Sequence, residues 1–211
     1  ASDWSSDVCS SDLNVQNNPI FNFQGPITTN RLLKASSFQL STNGKSFITS
    51  RENGSYRPIV VGVPQYTEIG YGHTLTPEEL SSGYVTINGS RVPLNEPLTQ
   101  QNINDLFDQD MKEVLDWMRP LITVGVSQTQ FDMLASLAFN IGQANFTGSD
   151  VVKYLNQGYL QKVPNSWMVW TVDGNNDVVP GLVTRRVSEA TNFMLGPEND
   201  APQNQSVLIP Q

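Results

Sequence analysis

Residues 68–74 have the sequence Glu-Ile-Gly-Tyr-Gly-His-Thr, the most distinctive combination of side chains in the chain. Gly70 and Gly72 lack a Cβ atom, so they would let the backbone approach a bulky ligand closely. Tyr71 lies between them and offers a flat, amphipathic wall for a sugar ring. Glu68 adds a carboxylate at the start of the stretch. The pattern favours a surface that binds a polar ring.

The segments around this stretch predict a β-rich lobe. Residues 59–63 and 66–71 are rich in β-branched and aromatic residues, and Gly and Pro interrupt them, as in a small twisted sheet. Residues 84–94 contain Asn88-Gly89, which is typical of a hairpin turn. We therefore expect a β-lobe over about residues 41–98.

Two amphipathic helices are predicted after the β-lobe. Residues 99–119 place apolar side chains three and four positions apart, and Pro120 stops the pattern. Ser127 and Gln130 form a capping box before a second apolar face. The first helix should link the β-lobe to a helical lobe over residues 120–195.

The chain outside residues 41–195 has a different character. Residues 1–13 resemble the translation of a sequencing adapter, so we exclude them from fold reasoning as an artificial leader. Residues 14–40 are rich in Asn, Gln, Ser and Thr without a helical period, which indicates an extended N-terminal arm or the remnant of an upstream domain. Residues 196–211 carry Pro, Asn and Gln and predict a flexible tail.

Composition excludes several classes of function. The 211 residues, 38% of them hydrophobic, suffice for a globular core, and no apolar run reaches the roughly 18 residues of a membrane span. A net charge of −8 argues against binding nucleic acid. One Cys and one His cannot form a zinc site. We expect a monomer without metal, cofactor, nucleic-acid or membrane partner.

Two glutamates are candidates for acid–base chemistry. Glu52 follows a helix-like stretch over residues 42–53 that Gly54 could cap, and the negative end of a helix favours a protonated carboxyl group. Glycoside hydrolysis needs a second oxygen group across the scissile bond, and Glu68 is the obvious candidate. Taken alone, this pair does not differ from two surface charges.

Longer stretches of the chain resemble a known family. Residues 43–54, Tyr56 and residues 69–74 resemble the start of the phage-type (T4-like) lysozymes and endolysins. The resemblance continues in order through residues 106–110, 130–142 and 179–186. It implies an α+β, lysozyme-like fold in which a small β-rich lobe and a helical lobe are joined by a long helix. It also implies hydrolysis of the β-1,4 bond between N-acetylmuramic acid and N-acetylglucosamine in bacterial peptidoglycan.

The resemblance implies roles for the two carboxylates. Glu52 takes the place of the family's general acid. The family then uses an aspartate, followed by a threonine directly before Ile-Gly-Tyr-Gly, but no Asp lies between Glu52 and Glu68 here. Glu68 occupies the threonine's place and Thr67 precedes it, so we hypothesise that Glu68 replaces both residues as base or nucleophile. The alternatives are a site that binds glycan without cutting it, and an alignment in which Thr67 is the family's substrate-binding threonine.

Other site residues also follow from the resemblance. His73 should form an ion pair with Asp110 of the linking helix, which would join the lobes and raise the pKa of the imidazole. Phe139 and Asn140 resemble a cleft-facing turn that binds an N-acetyl group, although Asn-Ile-Gly142 could equally end a helix.

The remaining motifs fit more than one interpretation. Arg185 and Arg186 are interpreted as bracing helices rather than contacting glycan. A chitinase-like hydrolase and a non-catalytic peptidoglycan-binding module of a phage tail are the competing functions, and a zymogram would separate the module from both enzymes. The residues do not distinguish a free endolysin from a tail lysozyme or a bacterial effector.

Overall fold

The computed structural model describes residues 20–22, 32–62, 65–195 and 206–208. The strands are β1 (Ile20–Asn22), β2 (Leu33–Lys34), β3 (Ser55–Val61), β4 (Tyr66–Gly70), β5 (His73–Thr74), β6 (Tyr84–Ile87), β7 (Ser90–Pro93), β8 (Gly125–Val126) and β9 (Ser206–Leu208). The α-helices are α1 (Thr42–Thr49), α2 (Pro77–Ser82), α3 (Gln100–Met118), α4 (Gln128–Thr147), α5 (Asp150–Asn156), α6 (Val163–Trp167) and α7 (Pro180–Leu195). The α+β class predicted from the sequence is confirmed.

The β-rich lobe contains a three-stranded sheet and a hairpin. The antiparallel order is β3-β4-β5, and Glu68 pairs with Ile59 on one side and with Thr74 on the other. Strands β6 and β7 form the predicted hairpin. Asn88 and Gly89 both have positive φ, at 50° and 77°, as a type I′ turn requires.

The linking helix and the central helix begin at capping boxes. Thr99 and Asn102 cap α3, which ends two residues before Pro120. Ser127 and Gln130 form the predicted capping box of α4. Both predicted helices are therefore confirmed. They could be predicted because the signals that start and stop them lie close together in the sequence.

Two apolar clusters lie on either side of the lobe junction. The larger one fills the helical lobe around α4, and the smaller one joins the β-lobe to the first half of α3. Tyr71 packs against both clusters. Within the part of the chain that the structure describes, no helix combines the length and apolar character that crossing a bilayer requires.

Residues 33–38 pack against the helical lobe, which differs from the extended arm expected over residues 14–40. Strand β2 pairs with β8, and Ala35 and Phe38 are buried in the larger cluster. Arg119 also donates to the carbonyl oxygen of Phe38, from Nη2 at 3.0 Å. Sequence patterns missed this segment because it is too short to show a period.

The other terminal predictions are described only in part. Strands β1 and β9 pair antiparallel, so Ile20–Asn22 of the expected arm meets Ser206–Leu208 of the expected tail. The leader at residues 1–13 and the remainder of the arm and tail lie outside the described residues.

Helix α1 is seated on α4 through a glycine and a buried aspartate. Asp132 is 4% exposed and accepts hydrogen bonds from the backbone amide of Ser41 at 3.1 Å and from Gln128 at 2.9 Å. A Cβ atom at Gly44 would lie 2.6 Å from Cγ of Asp132. The space beside Asp132 therefore requires glycine at this position of α1.

We expect Gly44→Ala to destabilise the protein by about 1–3 kcal/mol, the usual cost of overpacking. The better helix propensity of alanine, worth about 0.5–1 kcal/mol, offsets only part of that cost. Gly181→Ala is the matched control, since nothing lies within 4 Å of its added Cβ atom. Denaturant unfolding measures both variants. Equal or greater stability of Gly44→Ala would contradict the packing argument.

Candidate active site

Glu52 lies in a turn directly after α1. The helix ends at Thr49 with Ser50 as its C-cap, so the predicted cap at Gly54 is wrong. The turn continues beyond the helix because the amide of Glu52 donates to the carbonyl oxygen of Thr49 at 3.3 Å. The side chain of Glu52 is 19% exposed, and its Oε1 lies 2.5 Å from Nη1 of Arg185. An arginine from the other end of the domain therefore holds the candidate acid.

Glu68 faces the opposite side of the sheet from the core. Ile69 is fully buried beneath the sheet, so alternation along β4 turns the half-buried Glu68 to the other face. Burial raises the pKa of Glu68, and the negative charge of Glu52 raises it further, while a hydrogen bond from Tyr66 opposes the change. Glu52 is thus close enough for its charge to act on Glu68.

Thr67 lies on the other face of the same strand. Its neighbour Glu68 points away from the core, so Thr67 shares the side of the buried Ile69. Its carbonyl oxygen accepts a hydrogen bond from the amide of Leu75 at 2.8 Å. This geometry supports Glu68 rather than Thr67 as the residue facing Glu52, and it gives no support to the substrate-binding role predicted for Thr67.

Tyr71 contacts protein on several sides. Its ring meets Phe107 edge-on, with centroids 5.9 Å apart, and its hydroxyl group accepts a hydrogen bond from Gln100 at 3.2 Å. A Cβ atom at Gly54 would lie 2.9 Å from the ring, so that glycine makes room for the tyrosine. These contacts explain why Tyr71 bridges the two apolar clusters. Its predicted contact with a sugar stays a prediction.

The two glycines of the 68–74 stretch serve different purposes. Both have positive φ, 65° at Gly70 and 92° at Gly72, which L side chains rarely adopt. A Cβ atom at Gly70 would lie 3.5 Å from Leu106 of α3, so this glycine faces the linking helix rather than a ligand. Nothing lies within 4 Å of a Cβ atom at Gly72, where a ligand could approach.

The structure brings His73 together with Asp110. Nδ1 of His73 lies 3.0 Å from each carboxylate oxygen of Asp110, and Nε2 lies 3.4 Å from Oε2 of Glu79. Burial opposes the charged ring, but the hydrogen bond and charge of Asp110, helped by Glu79, outweigh it and raise the pKa of His73. The imidazole therefore links strand β5 to α2 and α3.

This arrangement predicts a pH-dependent stability. Because the pKa of His73 is raised on folding, its contribution is full below the unfolded-state pKa of about 6.5 and is lost as the pH rises through the folded-state pKa. Each tenfold difference in the proton affinity of His73 between the folded and unfolded states corresponds to about 1.4 kcal/mol of stability. In a protein of this size, one kcal/mol changes Tm by about 2–4 °C.

Thermal melts of the wild type and Asp110→Asn across neutral pH measure the effect. We expect the wild-type Tm to fall as the pH rises and the variant to lose most of this dependence. A wild-type Tm that is flat or rises through this range would contradict the role of the pair.

Phe139 and Asn140 lie near the kink of α4. The rings of Phe139 and Phe107 are 5.4 Å apart, and Oδ1 of Asn140 accepts a hydrogen bond from Nη2 of Arg186 at 2.8 Å. Gly142 has φ 77° and ψ 169°, so it interrupts the helix, as the helix-ending interpretation of this segment expected. Contact with an N-acetyl group stays a prediction.

Sequence reasoning missed Arg185 and Glu189 as parts of the site. Arg185 does brace helices, as predicted, but it also contacts Glu52, which lies 133 residues earlier. Glu189 is fully buried and contacts both Arg185 and Arg186. The available signal was that Arg185 and Glu189 lie four residues apart, on one face of α7. Charged side chains on a buried face must be paired, so this spacing could have predicted their contact.

In the described residues, no group of three His, Cys, Asp or Glu side chains could hold a metal ion.

Comparisons with a family model and with known protein sequences all point to the same family. The phage lysozyme family model matches residues 51–189. The endolysin of Bacillus phage B103 is 32% identical over 146 residues, which are 69% of this chain and 50% of that protein. The endolysin of Salmonella phage P22 is 29% identical over 156 residues, 74% of this chain and 98% of that protein. The chain spans 50% and 57% of the Bacillus phage B103 and PZA endolysins.

Solved structures agree with the sequence comparisons. The muramidase domain of SpmX from Asticaccaulis excentricus is 26% identical, with a TM-score of 0.60 over 74% of this chain and 97% of that one. The endolysin of Escherichia coli phage FAHEc1 is 25% identical, with a TM-score of 0.60 over 75% of this chain and 94% of that one. The predicted lysozyme-like fold is confirmed. The prediction of a T4-like lysozyme was too specific, because these relatives support only the broader phage lysozyme family. With a family model matching well over half of its length, the chain belongs to the phage lysozyme family.

Proposed function

We propose that this chain is a muramidase, which hydrolyses the β-1,4 bond between N-acetylmuramic acid and N-acetylglucosamine in bacterial peptidoglycan. The observation that carries the proposal is that Glu52 and Glu68 come from separate elements of a lysozyme-like fold, yet lie near enough for the charge of Glu52 to raise the pKa of Glu68. Family membership adds support, because the relatives include several endolysins and a muramidase domain. The monomeric state and the absence of nucleic-acid and membrane partners stay predictions.

The two carboxylates have complementary parts in the proposed reaction. Glu52 donates its proton to the glycosidic oxygen, and the bond between that oxygen and the anomeric carbon breaks. The carboxylate of Glu68 then acts in one of two ways. It either bonds to the anomeric carbon, forming a glycosyl ester that water hydrolyses, or takes a proton from the water that attacks this carbon.

The surroundings of Glu68 suit either role. A raised pKa makes its carboxylate a stronger base than an exposed one, and burial is the main cause. Tyr66 lies two residues earlier on the same face of β4 and hydrogen-bonds the carboxylate. This phenol would keep the carboxylate ionised and oriented toward the cleft.

Product analysis on purified peptidoglycan tests the proposed bond specificity. After digestion and borohydride reduction, a muramidase gives products that end in reduced N-acetylmuramic acid, which mass spectrometry identifies. Chitin is the control substrate, because a chitinase-like enzyme would cleave it. Products ending in reduced N-acetylglucosamine, or binding without cleavage in a zymogram, would overturn the proposal.

A further inference from the structure

A buried charge network lies behind the candidate general acid. Nη1 of Arg185 faces Glu52 at 2.5 Å, and Nε of the same guanidinium group lies 3.1 Å from Oε1 of Glu189. The hydroxyl group of Ser136 donates to the same oxygen of Glu189 at 2.6 Å. Arg186 approaches Glu189 from the other side, with Nε 2.9 Å from Oε2. Glu189 therefore contacts two arginines and a serine at once.

The network is almost wholly removed from water. Arg185 is 6% exposed, whereas Arg186, Glu189 and Ser136 are fully buried. Two positive and two negative side chains make the set formally neutral when Glu52 is ionised. Three of these charges, on Arg185, Arg186 and Glu189, are buried. Burying charges is costly unless each is paired, so the removal of one partner leaves another uncompensated. Well-packed apolar residues of similar volume often stabilise a fold as well as a buried charge network does, so stability alone does not account for this network.

The network has a direct consequence for Glu52. A general acid must carry a proton, and here the positive charge of Arg185 lies 2.5 Å from the carboxyl group that must hold it. Glu189 places a second negative charge on the far side of that arginine and so offsets its effect. The other charges that influence this corner are Arg186 of α7 and Glu68 of β4. Among these residues, only Glu189 contacts both arginines.

Orientation is the second consequence. The guanidinium group is planar, so fixing its Nε edge against Glu189 fixes the direction in which Nη1 points. Ser136 adds contacts on Nη2, with its carbonyl oxygen and its hydroxyl group both 3.4 Å away. These contacts hold the guanidinium group of Arg185 in one orientation, and its Nη1 in turn orients the carboxylate of Glu52.

We propose that Glu189 is a positioning residue for the general acid: through Arg185 it orients Glu52 and offsets the positive charge beside it, so that Glu52 can hold the proton it donates. This inference rests on the proposed function of the site. Glu189 itself is buried behind Arg185 and has no part in contacting glycan.

The test is the pH dependence of kcat for Glu189→Gln, which keeps the size of the side chain and removes its charge. Soluble glycan chains prepared from peptidoglycan serve as substrate. We expect kcat near neutral pH to fall about tenfold, KM to stay within about twofold, and the basic limb of the kcat profile to move to lower pH. Activity should therefore recover as the medium is acidified. A merely structural role would lower activity without moving that limb.

Two further variants sharpen the result. Glu189→Asp keeps the negative charge, so the basic limb should return toward its wild-type position even if kcat stays low. Glu113→Gln on the exposed side of α3 is the matched control, and it should leave the whole profile unchanged. An unmoved basic limb in folded Glu189→Gln overturns the inference.

Circular dichroism in the near ultraviolet shows whether Glu189→Gln folds. If it does not fold, Ser136→Ala decides, because it removes the hydrogen bond that helps to fix Glu189. A lower kcat of this variant with an unchanged KM supports the inference, and wild-type kinetics overturn it. Inactive wild type, or an active Glu52→Gln variant, would instead overturn the proposed function and so distinguish the two failures.

Discussion

Glu52→Gln is expected to slow peptidoglycan cleavage by about 10²- to 10⁴-fold, the usual contribution of a general acid. Glutamine cannot donate a proton of comparable acidity to the glycosidic oxygen. It keeps a side-chain oxygen toward Arg185, so the contact that now measures 2.5 Å would be weakened rather than lost. The loss should therefore appear in kcat, with KM little changed. Turbidity clearance of purified peptidoglycan measures it.

The interpretation depends on an intact fold. The variant should still melt cooperatively, because the buried guanidinium group of Arg185 keeps its contact with Glu189, at 3.1 Å, when Glu52 loses its charge. Binding of the variant to insoluble peptidoglycan should persist. A well-folded Glu52→Gln protein that clears peptidoglycan at the wild-type rate would contradict the assignment of the acid.

Glu68→Gln should reduce the rate by at least about 10²-fold, because glutamine neither attacks the sugar nor activates water. Glu78→Gln is the matched control, since this glutamate lies exposed in the first turn of α2. We expect the control to retain wild-type activity. Undiminished activity of Glu68→Gln would remove Glu68 from the mechanism, and a large loss on Thr67→Val instead would support the alternative alignment.

The stereochemistry of the wild-type product separates the two roles left open for Glu68. A nucleophile gives a product with the retained β configuration, whereas a base that activates water gives the inverted α configuration. Proton NMR of the newly formed reducing end, recorded before mutarotation, distinguishes them. Either result is compatible with the loss of activity expected for Glu68→Gln. The measurement therefore shows which role Glu68 has, whereas the variant shows whether Glu68 takes part in the reaction.

Much of the fold could be predicted because its signals are local. The capping residues Thr99 and Ser127 and the apolar spacing that follows each of them specify α3 and α4 within a few residues of sequence. Asn88-Gly89 specifies a turn through its own backbone preferences. The prediction failed for residues 33–38, which pack against the helical lobe, because so short a segment shows no periodic pattern of apolar residues.

The candidate site was predicted in part. Glu52 and Glu68 came from their residue types and from the resemblance to a family, and in the structure the charge of Glu52 raises the pKa of Glu68. The cap assigned to Gly54 failed because a glycine after a helix has several uses. Here it gives space to the ring of Tyr71, which only the packing of the two segments reveals.

The sequence by itself determined the two long helices and the hairpin, because each depends on residues close together in the chain. It also supplied the two candidate acids, which residue type and the resemblance to a family predict. Only the tertiary structure decided what surrounds the acids. Arg185 reaches Glu52 across 133 residues, and Glu189 becomes its counter-charge only when α7 packs against α4. Such pairings depend on burial, which strengthens charge interactions and makes each partner necessary, and burial is a property of the folded chain.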